Sequence, residues 1–530
     1  MDAHLNRSEE SWDLWVPVVP STVPTDRMRA YRDDPPSAGP AAWDRYPAPL
    51  RSALVALRGL SAEWRDALLY GCSAVFAGVT AVAMGIPLYR QWGQLAVGPY
   101  AAATAMMAVV AWRLGRRSTA DGADDGQRSR RHRWNWARII AFAIVLLGAT
   151  VVPLALEVVW RSEGNAALHV QPEVVVVEHA GLRAAHGKDP YQVVDRAGHI
   201  VIHTKDEPVY ELYYPYLPGM VIFGFSSGSK VEARLTDARI QFLVFTVLVT
   251  LVALSRLRPP TDARGRALQV MTVLPTAALP LSTGGDDMPV VALMLLGLVA
   301  LQRRRPVLAG LALGAASSLK FTAWPLVLFA LWAARDLKLH RAAGRYAIGV
   351  IAVVGPVVLP VALRNPSAFI DNVIRFPLGL AGVSSPAASA LPGHILVSAF
   401  PGSHRAYVVV LGVAGIALVA RFLVKKPPGD AAAVATFTGW VMLVAILLAP
   451  ATRVGYLLYP INLFVWAWML SRSDDPALAH GPSGGERGGA VSERRGATDG
   501  QLSSGSSNTS TENGVEPAEV VGETTTPTSQ

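Results

Sequence analysis

The sequence predicts an all-α polytopic membrane protein of about 12 transmembrane helices, with one large polar loop after the third. Three observations carry this. The 530-residue chain is 51% hydrophobic and only 16% charged, and its apolar residues come in long runs. Its arginines fall in alternate connections between those runs. One long polar segment, Arg161 to Glu211, falls on the side opposite to them.

Residues 1–65 are polar and Pro-rich (TVPTDR, DDPPSAGP). They predict a disordered cytoplasmic region with no signal peptide, so the first span acts as an uncleaved signal. Two spans, 66–88 and 94–114, and a basic loop to residue 136 precede the rest. A core over 137–472 holds spans near 137–160, 240–255, 266–283, 288–302, 306–319, 321–334, 345–363, 405–424, 432–450 and 453–471. Several are shorter than the ~20 residues of a straight crossing. Residues 306–334 suit two short helices meeting near Lys320. The stretch 212–227 (LYYPYLPGMVIFGFSS) contains two prolines and reads as re-entrant or interfacial. Residues 473–530 are rich in Gly, Ser, Thr and Glu, which predicts a disordered cytoplasmic tail.

Basic clusters at Arg113–Arg133, Ser255–Arg266, Arg303–Arg305, Arg335–Arg345 and Arg421–Lys426 all fall inside if the chain alternates from a cytoplasmic N-terminus. That predicts a multi-pass plasma-membrane protein with both termini cytoplasmic. The net charge of +9 is then spent on topology and not on nucleic acid. Cys72 is the single cysteine, so no disulfide forms within the chain, and a buried structural thiol is the expectation.

The remaining connections face out and gather ionisable groups at the hydrocarbon boundary, where each needs a reason. Glu173 and Glu178 lie in PEVVVVEHAGLRAAHG. Spaced five apart, they do not share a helical face; either can serve as a general base. His179 and His186 match no metal spacing. GKDPY (187–191) is a turn in which Pro190 keeps Asp189 out of helix and Tyr191 docks. Tyr214 belongs to the rigid YYPYLP, suited to interfacial anchoring or to stacking on a sugar. Asp286 and Asp287 in GGDD either cap the next helix or bind sugar hydroxyls. Lys320 in ASSLKFTAWP, Arg453 in PATRVGYLLYP and Arg375 in VIRFP either snorkel or bind the phosphate of an anionic lipid. Tyr456 accompanies Arg453.

The acid-bearing loop, AGLRAAHGKDPY, YYPYLPG, the GGDD-led helix, GLALGAASSLKFTAWP and RVGYLLYP together resemble the actinobacterial polyprenyl-phosphate-mannose-dependent mannosyltransferases of glycosyltransferase family 87, a GT-C fold group. The resemblance covers residues 137–471. The family pattern has an aspartate in the first large outer loop, and Glu173 stands at the matching place. The resemblance implies an inverting transfer of a hexose, mannose in that family, from a polyprenyl-phosphate sugar to a glycolipid or lipoglycan of the outer leaflet. Glu173 would deprotonate the acceptor, Lys320 and Arg453 would hold the leaving phosphate, and no metal or other cofactor is implied. The competing readings are a transporter or lipid flippase, which would carry charged or broken helices at mid-membrane, a related enzyme for another sugar, and a non-catalytic scaffold.

Overall fold

A computed structural model describes residues 60–118, 126–164, 168–191, 209–228, 233–257, 261–337, 341–383 and 387–473. The ends predicted to be disordered lie almost wholly outside these residues, as do residues 192–208 of the large loop.

The protein is an all-α polytopic membrane protein. Its helices are α1 (Ala62–Ala83), α2 (Pro87–Ser118), α3 (Gly126–Val145), α4 (Val152–Glu163), α5 (Pro172–Ala185), α6 (Ala238–Ser255), α7 (Thr261–Thr272), α8 (Pro275–Thr283), α9 (Asp287–Gln302), α10 (Pro306–Leu319), α11 (Trp324–Asp336), α12 (Ala342–Arg364), α13 (Pro392–Ala399), α14 (His404–Lys425), α15 (Ala431–Leu448) and α16 (Leu458–Ser473). Among the described residues, eight helical stretches are long and apolar enough to cross a membrane. Helices α9, α10 and α11 are apolar but shorter, and the 266–283 span is divided between α7 and α8. The chain breaks at Lys320, whose extended backbone separates α10 from a 3-10 turn, Phe321–Ala323, that leads into α11.

Local chemistry sets the helix starts. Ser61 accepts from Trp64 N, Asp237 from Arg239 N and Asp430 from Ala433 N, each satisfying an amide that a helix leaves free. Residues 218–228 form a 3-10 stretch of about 22 Å, too short to span. It lies against α5, and Gly181 and Gly224 let the two backbones touch: a Cβ on Gly181 would meet Gly224 C at 2.3 Å.

The main core joins α5, the 218–228 stretch and α6 to α12 with α15 and α16. A second core fills the α1–α2 hairpin and its seat on α3 and α8. The apolar residues left exposed, such as Val413, Ile416 and Val424 on α14, suit contact with lipid. Cys72 departs from expectation: it is exposed on α1, because Tyr70, Ser73 and Ala77 form that helix's buried face.

At one end of the bundle, buried Asp66 of α1 binds Arg138 of α3, Arg266 of α7 and the Gln269 amide (3.2 Å). Asp66 is 1% exposed, so removing its charge leaves Arg266 without a carboxylate and Arg138 with only the exposed Asp262. Asp66→Asn is expected to cost about 3 kcal/mol and to lower Tm of the detergent-solubilised protein; an unchanged melt would show that this network contributes nothing.

Candidate active site

At the other end of α7–α8 the segments carrying the predicted acids and cations converge. Helix α5 starts there because its flank is pinned to the end of α8: Gln171 N donates to Thr283 O (3.2 Å) and Gln171 Nε2 to Thr283 Oγ1 (2.7 Å). Pro172 occupies the first turn, where a missing N–H costs nothing. The next residue, Glu173, is thereby aimed into the bundle. Its Oε1 pairs with Arg453 Nη1. Its Oε2 is buried and has no hydrogen-bond partner.

Gly284 turns the chain from α8 into α9 with φ of +129°, a conformation side chains rarely adopt, and a Cβ there would lie 2.3 Å from Val174 Cγ2. The turn presents Asp286 and Asp287 together. Asp286, at the N-cap position of α9, makes no side-chain capping hydrogen bond, and Asp287 lies in the first turn, where its negative charge suits the helix start. Both carboxylates bind Lys320. Its Nζ lies 3.3 Å from each Asp286 oxygen and 2.5 Å from Asp287 Oδ1. The Tyr216 and Tyr456 rings flank the ammonium, with centroids at 5.1 and 5.6 Å. Tyr459 donates to Asp287 Oδ1 (2.6 Å) and lies 2.6 Å from Thr322 Oγ1. Tyr216 is placed by backbone: Leu217 N donates to Leu319 O (3.0 Å), and Gly219 packs so closely on Ser318 that a Cβ would sit 2.7 Å from its carbonyl oxygen. Arg453 is held from behind, where Thr452 N donates to Ala387 O (2.8 Å) and Ser389 N to Thr452 O (2.9 Å).

The site thus sets three carboxylates against two cations. Burial pushes the Asp286 carboxyl up; Lys320 opposes this, while Asp287 and Glu173 add to it, and the result is about 6. Burial alone would lower Lys320, but Asp286 and Asp287 outweigh it and hold the ammonium well above its ordinary range. Arg453 is half-buried, which alone would lower it, and is held up chiefly by Glu173. Among the described residues no group of three or more His, Cys, Asp or Glu has the arrangement of a metal site; the ammonium of Lys320 sits between the paired aspartates.

Six predicted site residues therefore meet: Glu173, Asp286, Asp287, Lys320, Arg453 and Tyr456. Five others are placed elsewhere. Glu178 points away from Glu173, as the five-residue spacing requires, and accepts from both arms of Arg161 (3.0 and 2.6 Å) and from Ala238 N (3.1 Å). It anchors the start of α6 beside Asp237 and fully buried Arg239. Asp189 caps its own turn by accepting from Tyr191 N (2.9 Å), and Tyr191 is buried with its hydroxyl on Tyr216 O (2.9 Å). Tyr214 is buried behind Tyr216, with ring centroids 5.3 Å apart and its N–H on Asn372 Oδ1 (2.7 Å). Arg375 pairs with Asp371 (2.6 Å) and its side chain is 51% exposed.

Sequence reasoning grouped Tyr216 with the other tyrosines of residues 210–216 but singled out Tyr214, and it assigned no site role to Tyr459, Thr322, Gln171 or Tyr89. Tyr459 had a signal, since it stands one turn beyond Tyr456. Tyr89 had none; it is brought in by a contact from Gln171 Nε2 (3.0 Å) across 82 positions.

Residues 231–450 match the model of glycosyltransferase family 87. That match marks the chain as a membrane glycosyltransferase. No curated protein matches it. The matched stretch of the glycosyltransferase contains Asp286, Asp287 and Lys320, while Glu173 and Arg453 flank it on either side.

The raised Asp286 value has a consequence for stability. A carboxyl that binds its proton more tightly when folded contributes stability that is full below its ordinary value of 3.8 and is lost as pH rises through about 6. The Tm difference between wild type and Asp286→Asn is therefore expected to shift against the wild type between about pH 4 and 7. A difference that stays flat across that range would remove Asp286 as the titrating group.

Proposed function

We propose that this membrane glycosyltransferase moves a hexose, mannose by the resemblance of its motifs, from a polyprenyl-phosphate sugar to a glycolipid or lipoglycan, with inversion at the anomeric carbon. The observation that carries this reading is a carboxylate with one oxygen held by an arginine and the other buried and unpartnered, beside a cation-bearing pocket.

In a single displacement the acceptor hydroxyl gives its proton to Glu173 Oε2 as its oxygen bonds to the sugar C1. The bond from C1 to the phosphate oxygen breaks, and the electron pair leaves on the phosphate, which gains one negative charge. Arg453 and Lys320 are the cations suited to that charge. A proton on Asp286 leaves Lys320 with one ionised partner, Asp287, and more of its field free for the phosphate. The phosphodiester donor needs no metal in this scheme because protein cations supply the charge. The paired aspartates, held by Lys320 and Tyr459, form a rigid floor with oxygens for sugar hydroxyls.

The orientation rests on the arginine pattern, which puts the cluster on the extracytoplasmic side of the plasma membrane with both termini inside. Lys188→Cys in a Cys72→Ser background is expected to react with a membrane-impermeant maleimide in intact cells. Reaction only after lysis would reverse the orientation.

The catalytic reading is tested by transfer of radiolabelled mannose from polyprenyl-phosphate-mannose to endogenous lipids in membranes expressing the wild type or Glu173→Gln. Loss of a general base predicts a fall of about 10²- to 10⁴-fold per folded, membrane-inserted protein. Full activity in the variant would eliminate Glu173 as the base.

A further inference from the structure

The N-terminal hairpin α1–α2 lies outside the stretch that matches the family, yet it reaches the active site. The first turn of α2 places half-buried Tyr89 beside Gln171, and the Gln171 amide donates to both Tyr89 OH (3.0 Å) and Thr283 Oγ1 (2.7 Å). Gln171 is two residues from Glu173. Glu173 and Arg453 are the charged groups acting on the Tyr89 phenol. The hairpin is seated firmly. A Cβ on Gly93 would meet Ala81 N at 2.5 Å, Trp92 Nε1 donates to Ala149 O (2.9 Å), and Tyr100 OH donates to Val273 O (2.5 Å).

Two hydrogen-bonding capacities remain at this point. The Tyr89 oxygen accepts from Gln171, which leaves its O–H free to donate. Glu173 Oε2 is a buried acceptor with no donor. A hydroxyl group is both donor and acceptor, so a sugar hydroxyl set between them would complete both. We infer that Tyr89, delivered by the hairpin, is a specificity-determining residue that holds the acceptor hydroxyl against Glu173 Oε2. This rests on the donor-dependent transfer proposed above. Tyr89 takes no part in the bond changes: its hydrogen bond uses one lone pair of the acceptor oxygen and leaves the other for attack on C1. The donor phosphate then meets Arg453 and Lys320, while the acceptor hydroxyl lies between Tyr89 and Glu173 Oε2.

The test uses the full-length enzyme with polyprenyl-phosphate-mannose as donor and octyl mannoside as acceptor, backed by the endogenous lipid extract. Tyr89→Phe is expected to raise acceptor KM about fivefold to tenfold, the loss of one hydrogen bond, and to leave donor KM unchanged. Gln171→Leu removes the partner that orients Tyr89 and is expected to shift acceptor KM in the same direction; it carries the test if Tyr89→Phe does not fold. Trp92→Phe loosens the hairpin on the π-turn and is expected to lower Tm with a clearly smaller rise in acceptor KM than Tyr89→Phe gives. An unaltered acceptor KM in folded Tyr89→Phe overturns the inference, as does a rise in donor KM instead, or an equal rise in Trp92→Phe. A wild type inert with every polyprenyl-phosphate hexose overturns the donor reading and this inference with it.

Discussion

Lys320 is the interaction on which the site depends. It sits at a break between two short helices and is 8% exposed. An unpaired charge so placed would cost several kcal/mol, so the fold must bring acids to it. Asp286 and Asp287 come from the start of α9, Tyr216 from the irregular stretch before the 3-10 segment 218–228, Tyr456 from the 3-10 turn Val454–Leu457 and Tyr459 from the start of α16. One ammonium thus ties together parts of the chain that share no local structure. The arrangement is also over-supplied with acid, because two carboxylates share one cation. Burial first, and then the neighbouring Asp287 and Glu173, raise the Asp286 carboxyl to about 6 against the pull of Lys320.

Glu173 and Arg453 extend the same logic. Each is buried enough to need the other, and together they close the gap between the start of α5 and the start of the last span. The pair differs from the Lys320 group in one respect: one Glu173 oxygen is left over. Buried polar atoms are nearly always satisfied, and Glu173 Oε2 is one of nine buried side-chain atoms among the described residues that have no partner. The neighbouring Arg161–Glu178–Asp237–Arg239 network makes the contrast plain. There both Glu178 oxygens and both Asp237 oxygens are taken. Glu178 has a structure to hold and no capacity to spare.

This contrast also explains what was legible in the sequence. The helices were readable because apolar runs of near-span length dictate them, and the break at Lys320 because one charge interrupts such a run. Glu173, Lys320, Arg453 and the GGDD acids stood out as isolated charges in apolar surroundings. Glu178 and Arg375 looked the same, since a sequence does not show that Arg161 lies opposite one and that Asp371, a turn away, engages the other. The choice between Tyr214 and Tyr216 was unreadable, because an irregular segment has no period to say which ring faces Lys320. Cys72 was placed inside by its apolar neighbours, but on a helix bathed in lipid apolar residues mark the outside as readily as the core.

The hairpin shows how a remote part of the chain acquires a place in the site. Helices α3 and α4 are joined by a π-turn over Leu146–Val151. Such a turn widens the helix by one residue and disturbs the regular carbonyl pattern. The carbonyls at Ala149 and Thr150 are met by side chains, the first by Trp92 Nε1 and the second by Ser282 Oγ (3.1 Å), while Thr150 Oγ1 reaches Thr272 O (3.0 Å). Gly148 lies under Pro99 of α2, where a Cβ would come within 2.3 Å. One local irregularity therefore locks α2 and α8 onto the same helix at the same height. The two residues that bracket Gln171, Tyr89 on α2 and Thr283 on α8, lie near the same end of those two elements. Their separation is set by packing on the π-turn, and through Gln171 so is the position of the first turn of α5, which carries Glu173. The hairpin is in this sense part of the frame that aims the carboxylate.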